Sequence, residues 1–558
     1  MPALVLWALS LRHLELDAIS DFGLVSILPP SFYAALAILV AGFVAALFAS
    51  RVHEGVLAAH TAAFVLVVHG TPSAAYGTLR YSWAWKHAGI VDYIQRHGSV
   101  DPDISFLGAY HNWPGFFALA TLPTELAGWH DAIPLATWSP VFFELLFAAG
   151  VLLLAKGLTT DVRLAWLATW FFLASNWIGQ DYFAPQALSY FLYLTVIGLG
   201  LRYFGTSSAR VEAPRATRAG VVALLVLTIA FVSSTHQLTP FMLALALTAL
   251  VVFRRIELRL LPLVASVLAV AWVVYMAVGF LENNLYWVVD SIGSPEGNAS
   301  STLINLGEAS EGMRRVALVD RGLTAFVVLL AAVGALRRFR AGVVDLSAWL
   351  LAAAPFLMIA ANAYGSEMLF RVYFVALPPM AFLAAAAVLP VARPRPSRLA
   401  RPAAATVSAL LIGGLCVAYY GKERLNYFPH DEVQASRLLY RIAEPDALLV
   451  SGTYDYPWAF DRYERYHYVA LSREPAAVRR AAIADPVRAL EALVDRAGAG
   501  HAYFIVTRTQ RAEVDMTGVM PRGSLAAIER TVARSPRFRP LVRTRDAAVF
   551  RFVPERTA

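Results

Sequence analysis

The stretch NWIGQDYFAPQ, residues 176–186, lies between two apolar runs at residues 163–175 and 187–204. Each run, with its aromatic ends, is long enough to cross a bilayer as a helix. The stretch between them contains a carboxylate, three amides, a Trp, a Tyr and a Pro. An aromatic belt with Asp181 capping the next helix explains the same residues. A functional site is favoured only if other loops on the same side of the membrane carry similar groups.

Composition places the chain among membrane proteins. Of its 558 residues, 58% are hydrophobic and 15% are charged, which is too apolar for a soluble protein of this size. Only helices or closed barrels satisfy their backbone groups in lipid, and a barrel would show short alternating segments. The sequence therefore predicts a polytopic all-α membrane protein with about 12–13 transmembrane helices.

The predicted spans follow the apolar runs. They lie near residues 32–50, 56–70, 135–155, 163–178, 186–204, 218–234, 238–253, 260–280, 318–336, 345–361, 368–391 and 402–420. The net charge of +8 comes mainly from arginines in alternate loops. By the positive-inside rule those loops face the cytoplasm. Arginine in place of lysine and abundant alanine suggest a bacterial genome, so we expect a protein of the bacterial cytoplasmic membrane. The charge fixes orientation and does not indicate a nucleic-acid partner.

Two external loops are long. The alternation of loops requires residues 71–134 to form one external loop, in which residues 113–125 are too short to cross the membrane. Residues 80–94 are predicted to form an amphipathic helix in the membrane interface, with Arg80, Lys86, His87 and Asp92 on its polar side. Residues 282–315 form a second external loop that is expected to be either a lid or partly disordered.

The chain divides at residue 421. Residues 1–420 are the predicted transmembrane domain, and residues 421–558 are soluble in composition. Helices are predicted at 431–442, 486–496 and 524–533, and strands at 447–450, 501–507 and 547–553. This alternation predicts a small α/β domain, and the span count places it outside the cytoplasmic membrane.

Ionisable and amide side chains gather at the external ends of the spans, where they are costly unless they pair or contact water. The predicted catalytic residues are Asp181, His236 and Glu367. The predicted substrate-binding residues are Arg371, Arg80, Lys86, His111, Trp113, Tyr182, Gln186 and Gln237. The fourth external loop also offers Asn362 and Tyr364.

Each candidate has a structural explanation. His236 could cap a helix, and Glu367 and Arg371, four residues apart, could form a salt bridge. Arg371 nevertheless lies inside an apolar span, where a cation without a partner or ligand is expensive. Asp92 is expected to be a solvated polar-face residue, and Lys86 could extend to phosphate headgroups.

The candidate groups fit one reaction. A carboxylate can take a proton from an acceptor hydroxyl, Arg and His can hold a phosphate leaving group, and aromatic faces suit a sugar or a lipid tail. These parts predict glycosyl transfer from a polyprenyl-phosphate-linked sugar to a cell-envelope glycan or glycolipid. They are also compatible with moving or binding such a lipid.

The chain resembles the GT-C superfamily of integral-membrane glycosyltransferases. The resemblance lies in the long first external loop, the segment HNWP at residues 111–114, the acidic outer loops and the soluble domain after the last span. The segments DYFAPQ (181–186), HQLTP (236–240) and YYGKER (419–424) look like those of multi-pass membrane proteins of actinobacteria. The resemblance covers most of the chain and implies a lipid-phosphate sugar donor.

The chain departs from the superfamily pattern at the position where the catalytic base is expected. The resemblance implies a carboxylate just after the first span of the module, but residues 71–80 contain no Asp or Glu. The alternatives to Asp181 as base are Asp92, Asp101, Asp103, Asp17 and Asp21. Some members of the superfamily use a divalent metal, but no ligand spacing in this sequence supports one, so no metal ligand is predicted.

Two other classes of function stay open. A transporter or flippase of lipid-linked glycans would show internal repeats and broken helices with polar groups near the middle of the membrane, and the sequence shows neither. A non-catalytic envelope scaffold, with the C-terminal domain binding a partner, is the second alternative.

Overall fold

The structure is a computed structural model that describes residues 2–282, 284, 306–361, 367–391 and 397–554. Its membrane domain contains α1 (Pro2–Leu11), α2 (Pro30–Leu47), α3 (Glu54–Tyr76), α4 (Ser82–His97), α5 (Gly108–Asn112), α6 (Gly115–Leu126), α7 (Ile133–Thr137), α8 (Ser139–Leu158), α9 (Val162–Leu173), α10 (Pro185–Phe204), α11 (Arg215–Thr235), α12 (Thr239–Val252), α13 (Leu261–Ala271), α14 (Glu311–Arg340), α15 (Leu346–Ala353), α16 (Met368–Ala386) and α17 (Ala400–Tyr420).

The predicted spans all coincide with helices. Within the described residues, eight helices are long and apolar enough to cross a membrane, namely α2, α3, α8, α10, α11, α14, α16 and α17. The other predicted spans are shorter apolar helices: α9, α12, α13 with its π-helical extension to Met276, and α15 with its 3₁₀ extension to Ala360. The chain is therefore a multi-pass membrane protein.

The basic loops meet at one end of the helix bundle. Arg163 donates hydrogen bonds to the carbonyl oxygens of Leu47 and Ala49 at 3.0 and 2.9 Å. At the same end, Lys156 pairs with Glu54 at 2.5 Å. The alternation of basic and non-basic loops read from the sequence thus corresponds to two physical ends of the bundle.

Helix α16 lies at the centre of the bundle, and nearly all of its residues are buried. Its second half is rich in alanine, and it packs closely on α14. A side chain at Gly334 of α14 would place its Cβ 1.8 Å from the Leu383 carbonyl oxygen, so only glycine permits this approach. Small residues at helix contacts in membranes allow such close backbone packing.

Helix α4 confirms the predicted helix at 80–94 but not its predicted surroundings. Lys86, His87 and Asp92 are buried, so the polar side does not face water. Asp92 accepts hydrogen bonds from the Arg96 side chain at 2.9 Å and from the Arg462 backbone at 3.0 Å. The expectation of a solvated Asp92 is wrong because a loop of the C-terminal domain covers this helix.

The second external loop falls largely outside the described residues. Its predicted end at residue 315 is wrong, because α14 begins at Glu311 and the Ser310 side chain accepts a hydrogen bond from the Met313 N–H. Ser310 N–H also donates to the Met516 carbonyl oxygen at 2.9 Å. The start of α14 therefore contacts the C-terminal domain.

The C-terminal domain contains a five-stranded mixed sheet in the order β2-β1-β3-β5-β4. The strands are β1 (Leu448–Ser451), β2 (His467–Ala470), β3 (Ala502–Thr507), β4 (Phe538–Arg543) and β5 (Ala547–Phe552). Strands β2, β1 and β3 are parallel, and β5 is antiparallel to both β3 and β4. The helices are α18 (Glu423–Asn426), α19 (His430–Ile442), α20 (Ala476–Ala484), α21 (Pro486–Ala497), α22 (Arg508–Thr517) and α23 (Ser524–Val532).

The two faces of this sheet belong to different cores. On β1 and β3, Leu448 and Phe504 join the domain's own core, whereas Leu449 and Ile505 join the core that continues into the membrane domain. This division follows from the alternation of side chains along a strand. The C-terminal domain is thus packed onto the membrane domain through one face of its sheet.

Candidate functional site

The loop between α9 and α10, residues 174–184, lies between two groups of polar side chains. The inner cluster consists of His69 on α3, Glu144 on α8, Tyr419 on α17, and Asn176 and Asp181 on the loop. The outer cluster consists of Lys86 on α4, His236 between α11 and α12, Glu367 and Arg371 at the start of α16, and Gln180 on the loop. Gln180 and Asp181 are adjacent in the chain yet belong to different clusters.

Asp181 is completely buried in the inner cluster. Its Oδ2 accepts hydrogen bonds from His69 Nδ1 at 2.8 Å and from the Tyr419 hydroxyl at 2.5 Å. Burial alone would raise the pKa of Asp181, but His69, the nearby Arg80 and Tyr419 together bring it below its usual value. Asp181 is therefore held as a carboxylate by a fixed set of neighbours.

Glu144 is the second buried carboxylate of the inner cluster. Its Oε1 accepts a hydrogen bond from Asn176 Nδ2 at 2.6 Å, and its Oε2 lies 3.9 Å from His69 Nε2. Four atoms of the cluster are buried and have no hydrogen-bond partner among the described residues: His69 Nε2, Glu144 Oε2, Asn176 Oδ1 and Asp181 Oδ1.

These atoms are close enough to hold a metal ion. One ligand atom from each of His69, Glu144 and Asp181 lies within 4.8 Å of the others. Within the described part of the chain, this is the one group of three or more such side chains at that spacing. No motif spacing indicates this group, because the three residues come from segments that are distant in the chain.

Arg371 organises the outer cluster. It lies in the first turn of α16 and is 7% exposed. Its Nη1 donates a hydrogen bond to Gln180 Oε1 at 2.6 Å, and its Nη2 forms an ion pair with Glu367. The Glu367 side chain is 38% exposed, so this carboxylate is open to solvent whereas Asp181 is not.

His236 lies beside Arg371 and caps the next helix. Its Nδ1 accepts a hydrogen bond from the Thr239 N–H at 3.2 Å and lies 2.9 Å from the Thr239 hydroxyl. Burial, together with the positive charge of Arg371, lowers the pKa of His236 to about 3. The ring is therefore neutral at physiological pH, and its proton lies on Nε2.

Lys86 is enclosed by aromatic rings. Its Nζ lies 3.2 Å from the centre of the Trp83 ring, 5.2 Å from that of Tyr110 and 5.8 Å from that of Trp458. Burial holds the pKa of Lys86 well below its usual range, although Glu367 opposes this effect. The expectation that Lys86 extends to lipid headgroups is wrong, because it points into the protein beside Glu367.

The remaining residues predicted in the second and third loops line the same region. The Tyr182 ring is stacked on the His87 ring, with centres 5.7 Å apart, and His87 Nδ1 donates to the Phe183 carbonyl oxygen at 2.7 Å. Gln186 is buried at the start of α10, and Gln237 is partly exposed beside His236.

The predicted binding residues of the first loop have structural partners. Arg80 forms an ion pair with Glu423 at 2.7 Å, and His111 Nδ1 accepts a hydrogen bond from the Asp101 N–H at 3.0 Å. Trp113 packs edge-on against Phe280, with ring centres 5.3 Å apart. These contacts fix the first loop to its surroundings, so none of the three is assigned to the outer cluster.

The structure brings some predicted residues together and separates others. Glu367 and Arg371 form an ion pair. The charge of Arg371 lowers the pKa of His236, and the charge of Glu367 raises that of Lys86 against the effect of burial. Asp181 is completely buried in the inner cluster, so its carboxylate is not exposed beside these four side chains. The predicted loop residues Asn362 and Tyr364 lie outside the described residues.

His69 and Glu144 were not predicted from the sequence, although a signal exists. Each is an ionisable residue inside an apolar run, and such residues mark functional sites in membrane segments. Tyr419 lies in the YYGKER segment that carried the resemblance, but nothing in that segment indicates a contact with Asp181.

No family model and no curated protein matches this chain. The structure of ArnT from Cupriavidus metallidurans bound to undecaprenyl phosphate is 14% identical, covers 90% of this chain and 98% of that chain, and has a TM-score of 0.55. The oligosaccharyltransferase AglB from Archaeoglobus fulgidus, in complex with an inhibitory peptide and a dolichol-phosphate, is 14% identical over 84% of this chain and 72% of that chain, with a TM-score of 0.53.

A further structure of the Archaeoglobus fulgidus oligosaccharyltransferase, in complex with Zn and sulfate, is 13% identical over 85% of this chain and 70% of that chain, with a TM-score of 0.51. ArnT and AglB are membrane glycosyltransferases of the GT-C superfamily. The chain has a GT-C-type fold. The predicted fold class, with its small C-terminal sheet domain, is thereby confirmed, and at these identities the likeness concerns the fold.

Proposed function

We propose that this chain is a glycosyltransferase that moves a sugar from a polyprenyl-phosphate-linked donor to an extracytoplasmic cell-envelope acceptor. The observation that carries the proposal is Arg371, a buried cation at the start of the central helix α16, where it pairs with Glu367. The positive charge of Arg371 acts on His236, and the negative charge of Glu367 acts on Lys86. The structural neighbours that hold undecaprenyl phosphate and dolichol-phosphate support a lipid-phosphate ligand.

The basic side chains of the outer cluster suit a phosphate. Arg371 presents its guanidinium from α16, and Gln180 and Glu367 fix its direction. A phosphate beside Lys86 would favour the charged ammonium and offset the effect of burial. Neutral His236 carries its proton on Nε2, which can donate to a phosphate oxygen. Charge-assisted hydrogen bonds of this kind are stronger than neutral ones.

Glu367 is the carboxylate best placed to act on the acceptor, because it is exposed and belongs to the outer cluster. In the transfer step, Glu367 accepts the proton of the acceptor hydroxyl, whose oxygen bonds to the anomeric carbon of the sugar. The bond from that carbon to the phosphate oxygen breaks, and polyprenyl phosphate leaves with the electron pair. We assign Asp181 a positioning role because it is fully buried.

The proposed location is the bacterial cytoplasmic membrane, with residues 421–558 as an extracytoplasmic domain. The clustering of Arg163 and Lys156 at the opposite end of the bundle supports this orientation. The outer cluster would then face the outer leaflet, where a polyprenyl-phosphate sugar presents its polar head.

The test is sugar transfer by the purified full-length protein in lipid nanodiscs. A panel of radiolabelled polyprenyl-phosphate and polyprenyl-pyrophosphate sugars is offered with envelope glycans and glycolipids as acceptors. We expect transfer from at least one donor, and loss of transfer in Arg371→Ala but not in the control Arg315→Ala, an exposed arginine at the same end. Absence of transfer from every donor by the folded protein contradicts the proposal, and lipid translocation in its place favours a flippase.

A further inference from the structure

We propose that the inner cluster binds a divalent transition-metal ion through His69, Glu144 and Asp181. The site would join two membrane spans, α3 and α8, to the loop that carries Gln180 and Asp181. The proposal stands on the geometry of the cluster and does not depend on the transferase function.

The hydrogen bonding of His69 leaves one ring nitrogen available as a ligand. Nδ1 lies 2.8 Å from Asp181 Oδ2, and a carboxylate accepts, so the proton of the neutral ring lies on Nδ1. The lone pair is then on Nε2, which is buried and has no hydrogen-bond partner among the described residues. A histidine that binds a metal ordinarily donates its other N–H to a carboxylate in this way.

The distance between His69 and Glu144 fits an ion better than a direct contact. His69 Nε2 and Glu144 Oε2 are 3.9 Å apart, which is too long for a hydrogen bond. Ligand bonds of about 2.0–2.2 Å in the tetrahedral geometry of zinc place two ligand atoms roughly 3.4 Å apart, so the two side chains need to approach by only about 0.5 Å. A single ion between these two atoms would satisfy both.

The surrounding residues hold these ligands in place. Asn176 Nδ2 donates to Glu144 Oε1 at 2.6 Å, which leaves Oε2 for the ion. The Tyr419 hydroxyl donates to Asp181 Oδ2 at 2.5 Å, which leaves Oδ1 for the ion. Hydrogen-bonded outer partners of this kind orient the ligands of metal sites.

Charge and ligand type indicate the kind of ion. Two carboxylates are buried together within a membrane domain, where uncompensated charge is expensive, and a dication would neutralise them. One imidazole with two carboxylates suits Zn²⁺ or Mn²⁺, whereas Mg²⁺ and Ca²⁺ prefer oxygen ligands throughout. Titration of the protein with Zn²⁺ alone and with Mn²⁺ alone distinguishes between the two ions.

The experiment measures metal in the purified full-length protein without using sugar transfer. The protein is stripped with a chelator in detergent and titrated with Zn²⁺ or Mn²⁺, and bound metal and the melting temperature are followed. We expect one ion per chain, a higher melting temperature on binding, and loss of binding in Glu144→Gln and Asp181→Asn. Tyr419→Phe, which keeps the ring, should weaken affinity about 10–100-fold, as outer-partner changes do.

Asp320→Asn is the matched control, because Asp320 is also a buried carboxylate of a membrane span but pairs with Lys422 outside the cluster. It should bind metal as the wild type does. The proposal is overturned if the wild type binds neither ion and its melting temperature is unchanged, which would indicate a cluster bridged by water. It is equally overturned if Glu144→Gln and Tyr419→Phe bind metal with wild-type affinity.

Discussion

Arg371 Nη1 donates a hydrogen bond of 2.6 Å to Gln180 Oε1, and this bond joins the central helix α16 to the loop between α9 and α10. The residue after Gln180 bonds to His69 on the other side of the same loop. One short loop therefore connects Arg371, which is proposed to hold the donor phosphate, with the inner cluster, which is proposed to bind a metal ion.

Gln180→Ala should weaken donor use without unfolding the protein. The hydrogen bond to Arg371 involves a charged group, and such bonds contribute about 1.5–3 kcal/mol, equivalent to roughly 10–100-fold in affinity. Steady-state kinetics with a lipid-phosphate donor should show the loss mainly in KM. Gln434→Ala, on an exposed helical position of the C-terminal domain, is the control, and equal kinetics of the two variants would show that Gln180 does not position Arg371.

Glu367→Gln and Asp181→Asn should differ in how they reduce transfer. Removal of a general base typically costs about 10²–10⁴-fold in rate, so Glu367→Gln should lose that factor in kcat while it still folds. Asp181→Asn should lower the melting temperature together with activity, because a neutral amide replaces the carboxylate that accepts hydrogen bonds from both His69 and Tyr419. A stable Asp181→Asn protein with a larger loss of kcat than Glu367→Gln would return the role of base to Asp181.

Glu423→Gln should destabilise the junction between α17 and the first loop. Glu423 is fully buried and pairs with Arg80, which is 5% exposed. Removing one partner of a buried ion pair leaves an uncompensated charge and costs about 3–5 kcal/mol. Chemical denaturation of the detergent-solubilised protein measures this loss in the free energy of unfolding. A loss below about 1 kcal/mol, which is the range for solvent-exposed ion pairs, would show that Glu423 and Arg80 do not form a buried pair.

The C-terminal domain should lose stability as pH rises. Burial raises the pKa of Glu432 to about 8, although Thr507 and Thr509 oppose the shift. Because the folded pKa lies above the ordinary value, the folded state binds the proton more tightly. The contribution of Glu432 to the free energy of unfolding is complete at acid pH, below the ordinary pKa of a glutamate, and is lost as the pH rises through about 8. Thermal unfolding of the full chain from pH 6 to 9 should show this decline, and Glu432→Gln should reduce it. An unchanged slope in the variant would assign the decline to other groups.

Much of the fold follows from local sequence pattern. Apolar runs locate the spans, and alternation of helix and strand patterns locates the α/β domain. The short strands β2 and β4 were missed because β2 has four residues and β4 contains Pro540, which is typical of an edge strand. The burial of α4 could not be predicted, because residues far along the chain cover it.

The candidate site was only partly predictable for the same reason. Arg371 and Glu367 are four residues apart in one helix, so their pairing follows from local spacing. His69, Glu144 and Asp181 meet only through the packing of separate helices, and no local pattern contains that contact. The direction of Asp181 was also unpredictable, because adjacent residues of an irregular loop can point to opposite sides.

Arg371 and its neighbours are proposed to hold the phosphate of a polyprenyl lipid, and equilibrium binding of undecaprenyl phosphate to the purified protein in nanodiscs measures this interaction without requiring sugar transfer. We expect saturable binding by the wild type and by Arg315→Ala. Arg371→Ala should bind roughly 10–100-fold more weakly, because a hydrogen bond between charged groups is lost. Equal affinity of Arg371→Ala and the wild type, or no saturable binding by the folded wild type, would show that Arg371 does not hold a lipid phosphate.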